Sequence, residues 1–188
     1  MFIQFITTGG TIDKIYFDAL SQFEVGESQL KHILNEGLVE FEYDIVPMLQ
    51  KDSLEMTDED REQLYEFIAK DDSNRFVITH GTDTMPQTAD KLAGLSDKTI
   101  VLTGALTPAR FRTTDAVFNV GMAIAAAQVC DPGVYIAMSG QVFPAGEVRK
   151  NREENRFEKL PSESLQARKG APTDRMRRPG LMAGPSPS

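Results

Sequence analysis

Thr79-His80-Gly81-Thr82-Asp83-Thr84-Met85 is the stretch that decides how this chain reads. It follows an apolar run, Phe76-Val77-Ile78, and precedes a helix-like segment, Gln87 to Leu92. A strand therefore ends where a hydroxyl and a carboxylate stand side by side. The glycine before them lets a second backbone, or a ligand, come close. In an open α/β sheet, ligands bind in the crevice beyond the carboxyl ends of the strands. Helix capping by Thr82 or Asp83 accounts for the same residues without any ligand. The choice between the two depends on what the other strands carry at their ends.

Upstream, Phe2 to Thr7 reads as a first strand that stops at the glycine turn Thr8-Gly9-Gly10-Thr11. The turn is not the GxGxxG dinucleotide fingerprint, and no Walker lysine follows it. Ile12 to Gly26 has no clear period and is expected to be a long loop of lid type. Ser28 to Asn35 places Leu30, Ile33 and Leu34 on one helical face and leaves His32 on the surface. Val39 to Val46 alternates as a second strand with one wet face. Lys51-Asp52-Ser53-Leu54-Glu55-Met56 follows it. Thr57-Asp58-Glu59-Asp60 then opens a helix in capping-box style, with Leu64, Phe67 and Ile68 buried.

Downstream, Lys98 to Thr103 is a fourth strand ending at Gly104-Ala105. A helix from about Thr114 is expected to bury Val117, Val120, Ile124 and Ala127. Gly133 to Met138 is a fifth strand, and Val142-Phe143 a short extended piece. This order predicts an α/β domain with a mainly parallel sheet and helices on both faces. Thr11, Ser53, Thr82-Asp83 and Ala105 each follow a different strand, so they converge on one rim.

The composition sets the outer bounds. With 188 residues, 40% hydrophobic and 26% charged, the chain suits one ordinary domain. Its net charge of -8 argues against a nucleic-acid partner. No apolar run is long enough to span a bilayer, and the N-terminus has no signal-peptide pattern, so a cytoplasmic location is expected. The single cysteine, Cys130, ends an Ala-rich helical run and reads as a small packing residue. Residues 159–188 carry a net +4 and five of the ten prolines. They are expected to be a disordered tail on a domain of residues 1–158.

The rim offers hydroxyls on Thr11, Ser53 and Thr82, a carboxylate on Asp83, and Lys150 further along. It offers no metal-ligand spacing and no cofactor loop, so neither is expected. A threonine hydroxyl attacks only when a base takes its proton, and a lysine made neutral by burial and nearby donors can be that base. Backbone N–H groups at a glycine turn can hold a developing oxyanion. An aspartate can hold a substrate ammonium. The set points to acyl transfer or hydrolysis of a small amide or ester that bears an amino group.

Thr8-Gly9-Gly10-Thr11-Ile12, His80-Gly81-Thr82-Asp83-Thr84-Met85 and Leu102-Thr103-Gly104-Ala105, with Asp115 and Asn119 after them, resemble the bacterial-type L-asparaginases in order and spacing. Val148-Arg149-Lys150-Asn151-Arg152 looks like the short members that lack the usual C-terminal domain. The resemblance covers about residues 2–158. It implies the three-layer fold of the asparaginase N-terminal domain and hydrolysis of asparagine through an acyl-enzyme without cofactor. It also implies a homo-oligomer. By resemblance Thr11 is the leading nucleophile and Thr82, Asp83 and Lys150 form a second triad. Ser53 and the Gly81-Thr82 backbone would bind the substrate α-carboxylate, and Asp83 its ammonium. The Ala105 carbonyl would meet the leaving amide nitrogen, and Gly10 would shape the turn that presents Thr11.

Three departures accompany the resemblance. Phe23 stands where longer members carry a loop tyrosine that helps the nucleophile, so Tyr16 is the candidate replacement. Leu54 stands where many relatives have an ammonium-binding glutamine, and the acidic partner for the ammonium would be Glu55 or a residue from elsewhere in an oligomer. The third is the lack of a neighbour's C-terminal residues, which predicts low affinity for asparagine and weak discrimination against glutamine. The competing readings are a non-catalytic module for a small amino acid, a decayed fragment, and the amidase part of a tRNA-dependent amidotransferase.

Overall fold

The computed structural model describes residues 1–17 and 22–161, with only the backbone at positions 16, 17 and 22. Its strands in chain order are β1 (Phe2–Gly9), β2 (Lys14–Phe17), β3 (Gln22–Val25), β4 (Glu42–Lys51), β5 (Arg75–Thr79), β6 (Thr99–Thr103), β7 (Gly133–Met138), β8 (Gln141–Pro144), β9 (Val148–Asn151) and β10 (Arg156–Lys159). The helices are α1 (Leu30–Glu36), α2 (Asp58–Lys70), α3 (Met85–Leu92) and α4 (Ala116–Val129).

The main sheet has the order β4-β1-β5-β6-β7-β8. All neighbours are parallel except β8, which turns back antiparallel beside β7. The chain moves outward from β1 to β4, then crosses to β5 on the other side of β1. That reversal makes the carboxyl end of β1 and β5 the switch point where such sheets bind ligands.

The strands are apolar on both faces, as parallel strands covered by helices must be. Ile6, Phe76, Ile78, Ile100, Leu102 and Ile136 point to one side and pack with Leu64 and Ile68 of α2 and Met85, Ala89 and Leu92 of α3. Ile3, Phe5, Val77, Val101 and Ala137 point to the other and meet Leu30, Ile33 and Leu34 of α1 and the alanines of α4. Two cores thus sandwich one sheet, which is the expected three-layer α/β fold. The Thr57 capping box is present: its hydroxyl accepts from the Asp60 N–H, and the Asp60 carboxylate accepts from the Thr57 N–H.

Four expectations need correction. Ile12 to Gly26 is not one irregular loop: its backbone forms a turn over Thr11–Asp13 and the antiparallel pair β2–β3. Each strand has four residues, too short for alternation to stand out, and the turn between them lies outside the described residues. The second strand starts at Glu42 and runs on to Lys51 through Pro47. Proline is tolerated there because β4 is an edge strand. Val117 is 44% exposed, and the face of α4 that packs inward is Ala116, Asn119, Val120, Ala123 and Ala127. An apolar helix gave no polar face by which to fix its rotation. Lastly, β9–β10 is a hairpin that no turn signal announced.

Cys130 is half-buried at the end of α4 beside the α1–α4 core, and burial raises its thiol pKa. His32 is exposed and pairs with Glu36 one turn on, at 3.4 Å. No helix among the described residues is long and apolar enough to cross a membrane. Gly121 sits mid-helix in α4 with nothing within 4 Å of where a Cβ would be. Gly121→Ala is expected to stabilise the fold by about 1 kcal/mol, read from urea denaturation.

Candidate functional site

Three turns meet at the switch point, and they meet through backbone. Gly9, which ends β1, and Gly10 after it have φ of 95° and 87°, a region that disfavours side chains. The Gly10 N–H donates to the Lys51 carbonyl at 2.9 Å, which fixes the turn against the end of β4. A Cβ on Gly10 would lie 2.4 Å from Gly81 Cα and N, and one on Gly81 would lie 2.5 Å from Ser53 Cβ. The two glycines are therefore required by contact between the turns after β1, β5 and β4. Thr8 Oγ1 donates to the Thr79 carbonyl at 2.9 Å, and Thr84 Oγ1 donates to the Ser53 carbonyl at 2.7 Å. Both hydroxyls stitch neighbouring turns together. Sequence reasoning did not single them out, because a threonine that bonds a distant backbone carries no local signature.

Thr82 follows directly and is 3% exposed. Its Oγ1 accepts from Lys150 Nζ at 2.6 Å, and the same ammonium reaches Asp83 Oδ1 at 3.1 Å. Lys150 arrives on β9. Val148 and Phe157 of the β9–β10 hairpin are buried in the α2–α3 core. Residues two apart on a strand share a face, so burying Val148 turns Lys150 inward too, and its side chain is 8% exposed. Arg152 approaches Asp83 Oδ1 to 3.6 Å from the solvent side. Lys150, Arg152, Asp83, Gln87 and Asp90 line an open cleft of about 480 Å³.

Thr11 begins the turn after Gly10 and is half-exposed. The Ile12 carbonyl accepts from the Ala109 N–H at 3.0 Å, which ties this turn to the loop after β6. That loop contains Ala105, fully buried. Asn119 Nδ2 donates to the Gly104 carbonyl at 3.0 Å and to Asp115 Oδ2 at 2.8 Å. The Asp115 carboxylate accepts from the N–H groups of Leu106 and Thr107. Two side chains of the helix start therefore hold the Ala105 segment rigid.

Ser53 is buried in a short helical turn that Asp52 and Glu55 cap reciprocally. Glu55 is exposed, and its carboxylate accepts from the Asp52 N–H at 3.3 Å. The backbone of Tyr16 lies on β2 opposite Phe23, while its hydroxyl is outside the described residues. Phe23 is 49% exposed, with its ring against Phe111.

Asp13 stands at the base of the β2–β3 hairpin. Its Oδ1 accepts from the Gln29 N–H at 2.8 Å and its carbonyl from the Gly26 N–H at 2.8 Å. Its Oδ2 is buried without a partner. Burial pushes its pKa from 3.8 up to about 6. His80 is fully buried as well, and burial lowers its pKa from 6.5 to about 4.

The residues match a family model described as "Asparaginase, N-terminal" over positions 2–171. A glutaminase-asparaginase from Acinetobacter glutaminasificans is 37% identical over 93 residues, which are 47% of this chain and 28% of that protein. The solved L-asparaginase I from Vibrio cholerae superposes with a TM-score of 0.74 at 25% identity, over 85% of this chain and 52% of that one. The thermostable L-asparaginase from Thermococcus kodakarensis gives 0.72 at 26% identity, over 85% and 51%. The chain thus spans about half the length of these solved structures.

Two outcomes follow from the geometry. Gly10→Ala is expected to cost about 3 kcal/mol or more, since the new methyl group meets the Gly81 backbone at a positive φ. Equilibrium denaturation beside Gly121→Ala separates this contact from a general glycine effect. Asp13 has a folded pKa above its unfolded one, so its contribution to stability is full below pH 3.8 and is lost as pH rises through about 6. Asp13→Asn is therefore expected to match the parent at pH 4 and to exceed it by roughly 2 kcal/mol at pH 8, measured by urea denaturation at both.

Proposed function

The chain belongs to the asparaginase family, and from that premise we propose that it hydrolyses the side-chain amide of asparagine to aspartate and ammonia. The observation that carries the reading is Lys150 Nζ at 2.6 Å from the hydroxyl of buried Thr82, with Asp83 completing the set at 3.1 Å. Threonine needs a partner that can take its proton, and a lysine within hydrogen-bond reach is such a partner once its ammonium has given up a proton.

In this reading the Thr11 hydroxyl attacks the amide carbon. Ammonia leaves once its nitrogen gains a proton, and water then hydrolyses the threonine ester to release aspartate. Thr82, Lys150 and Asp83 pass protons to and from the reacting groups. Ser53 and the Gly81-Thr82 backbone hold the substrate α-carboxylate, the Ala105 carbonyl meets the amide nitrogen, and the Gly10 turn presents Thr11. Asp83 Oδ2 faces the ammonium, since Lys150 and Arg152 both take Oδ1. Tyr16 assists Thr11 from the hairpin. Glu55 is a weaker ammonium partner than it looks in sequence, because its carboxylate already closes its own turn.

The same reading sets the affinity low and admits glutamine as a poorer substrate, since one methylene is weakly discriminated. It needs no cofactor, a cytoplasmic location suits it, and assembly as a homo-oligomer belongs with it. Ammonia release from millimolar asparagine is expected from the parent protein. Thr11→Ala and Thr82→Ala are each expected to lower kcat by about a thousandfold or more. A micromolar KM overturns the low-affinity part. No release at any asparagine or glutamine concentration from the folded protein overturns the hydrolase and favours a binding module.

A further inference from the structure

The β5 motif carries a histidine that the proposed chemistry leaves unused. His80 is fully buried, one residue before Gly81-Thr82. Its Nδ1 lies 2.7 Å from the Gly81 carbonyl oxygen. A carbonyl can only accept, so Nδ1 carries the ring proton. Its Nε2 lies 2.9 Å from Thr88 Oγ1 of α3. Burial keeps the ring neutral near pH 7, so Nε2 is an acceptor and the Thr88 hydroxyl donates to it. The Thr88 oxygen accepts in turn from Arg61 Nε of α2, at 3.1 Å. The direction of every bond is thereby fixed: guanidinium to hydroxyl, hydroxyl to imidazole, imidazole to carbonyl.

All three side chains are buried, with Arg61 8% exposed and Thr88 and His80 not at all. The carboxylate that meets Arg61, Asp58, is 98% exposed, so water screens that pair. The Met56 carbonyl accepts from the same guanidinium at 3.3 Å. A cation thus stands at the head of a dry hydrogen-bond chain. Its foot is the Gly81–Thr82 peptide. A carbonyl that accepts a strong bond draws electron density from its own amide nitrogen, so the N–H of that peptide becomes a better donor. That N–H belongs to the residue whose hydroxyl Lys150 grips.

We propose that Arg61, Thr88 and His80 form a polarised relay that positions the Gly81–Thr82 peptide and strengthens its N–H as a donor to an anion in the amidase site. The proposal rests on the amidohydrolase reading. The three are positioning residues, since each acts through the next. Filler beneath α3 would need the same volumes, but not hydroxyl, imidazole and guanidinium in donor-to-acceptor order.

Thr88→Val keeps the shape and removes the hydroxyl, while Thr88→Ser keeps the hydroxyl. Thr88→Val is expected to lower kcat about tenfold with KM within about twofold, and Thr88→Ser to stay near the parent. Arg61→Met, which removes the head of the chain, is expected to move kcat in the same direction, and serves where Thr88→Val fails to fold. Nuclear magnetic resonance gives a readout independent of activity. The parent is expected to show His80 in the Nδ1–H form, and the Thr82 amide proton is expected to shift upfield in Thr88→Val and Arg61→Met but not in Thr88→Ser. An Nε2–H tautomer in the parent, an unmoved Thr82 amide, or parental kcat in Thr88→Val overturns the relay. If the parent releases no ammonia, the amidase reading falls, and the tautomer and the Thr82 amide shift decide the relay alone.

Discussion

The structure depends on the contact between three backbone turns at Gly10, Gly81 and Ser53. A Cβ at either glycine would lie within 2.4–2.5 Å of another turn, so the carboxyl ends of β1, β5 and β4 can come together only where side chains are absent. The consequence reaches well past packing. With the turns in contact, Thr11, Ser53 and Thr82 are held on one rim although 71 residues separate the first from the last. Close-packed backbone is also stiff, because none of the three turns can move without displacing its neighbours. A site that must hold a small substrate within fractions of an ångström gains rigidity here as well as from its hydrogen bonds.

How much of this was legible in the sequence follows from where the information is stored. The strands β5, β6 and β7 and the helix cap at Thr57 are written locally, in apolar runs and in an acid three residues after a threonine. The rim was legible as well, because strand ends can be lined up without knowing which strands are neighbours. What could not be read is the set of contacts made across long stretches of chain. The hydroxyl of Thr84 on the Ser53 carbonyl and of Thr8 on the Thr79 carbonyl leave no pattern in either segment. The rotation of α4 was lost for the opposite reason: with no charged residue in fourteen, every face looked suitable for burial. Lys150 was named as a candidate base on the rim, and the resemblance gave it a place in the second triad. Its inward turn depends on Val148 and Phe157 being buried, which only the packed hairpin reveals.

The charges around the rim show a division of labour that sequence counts conceal. The acids near the site number several, yet most are already engaged. Asp115 holds two backbone N–H groups of the loop after β6, Asp52 pairs with Lys14 at 2.7 Å, and Glu55 closes the turn that carries Ser53. Asp83 is the acid on the rim that meets two cations at one oxygen. An acidic protein thus presents a locally basic approach at β9, with Lys150 and Arg152 converging on a single carboxylate oxygen.

Two buried ionisable groups near the rim pull stability in opposite directions. Asp13, raised to about 6, destabilises the fold progressively as pH climbs from 3.8. His80, lowered to about 4, has a folded pKa below its unfolded value of 6.5, so the stability it contributes is present above 6.5 and lost as pH falls toward 4. Across the same window one group gains what the other loses. Asp13 is not placed to stabilise the fold at neutral pH: a buried carboxylate with an unpartnered oxygen is a net cost there. Each sits beside a residue that the proposed chemistry needs, Asp13 two positions after Thr11 and His80 two before Thr82. Strain of this kind persists where surrounding structure holds it in place. Here the holding structure is the Gln29 N–H on Asp13, and the Gly81 carbonyl and Thr88 hydroxyl on His80.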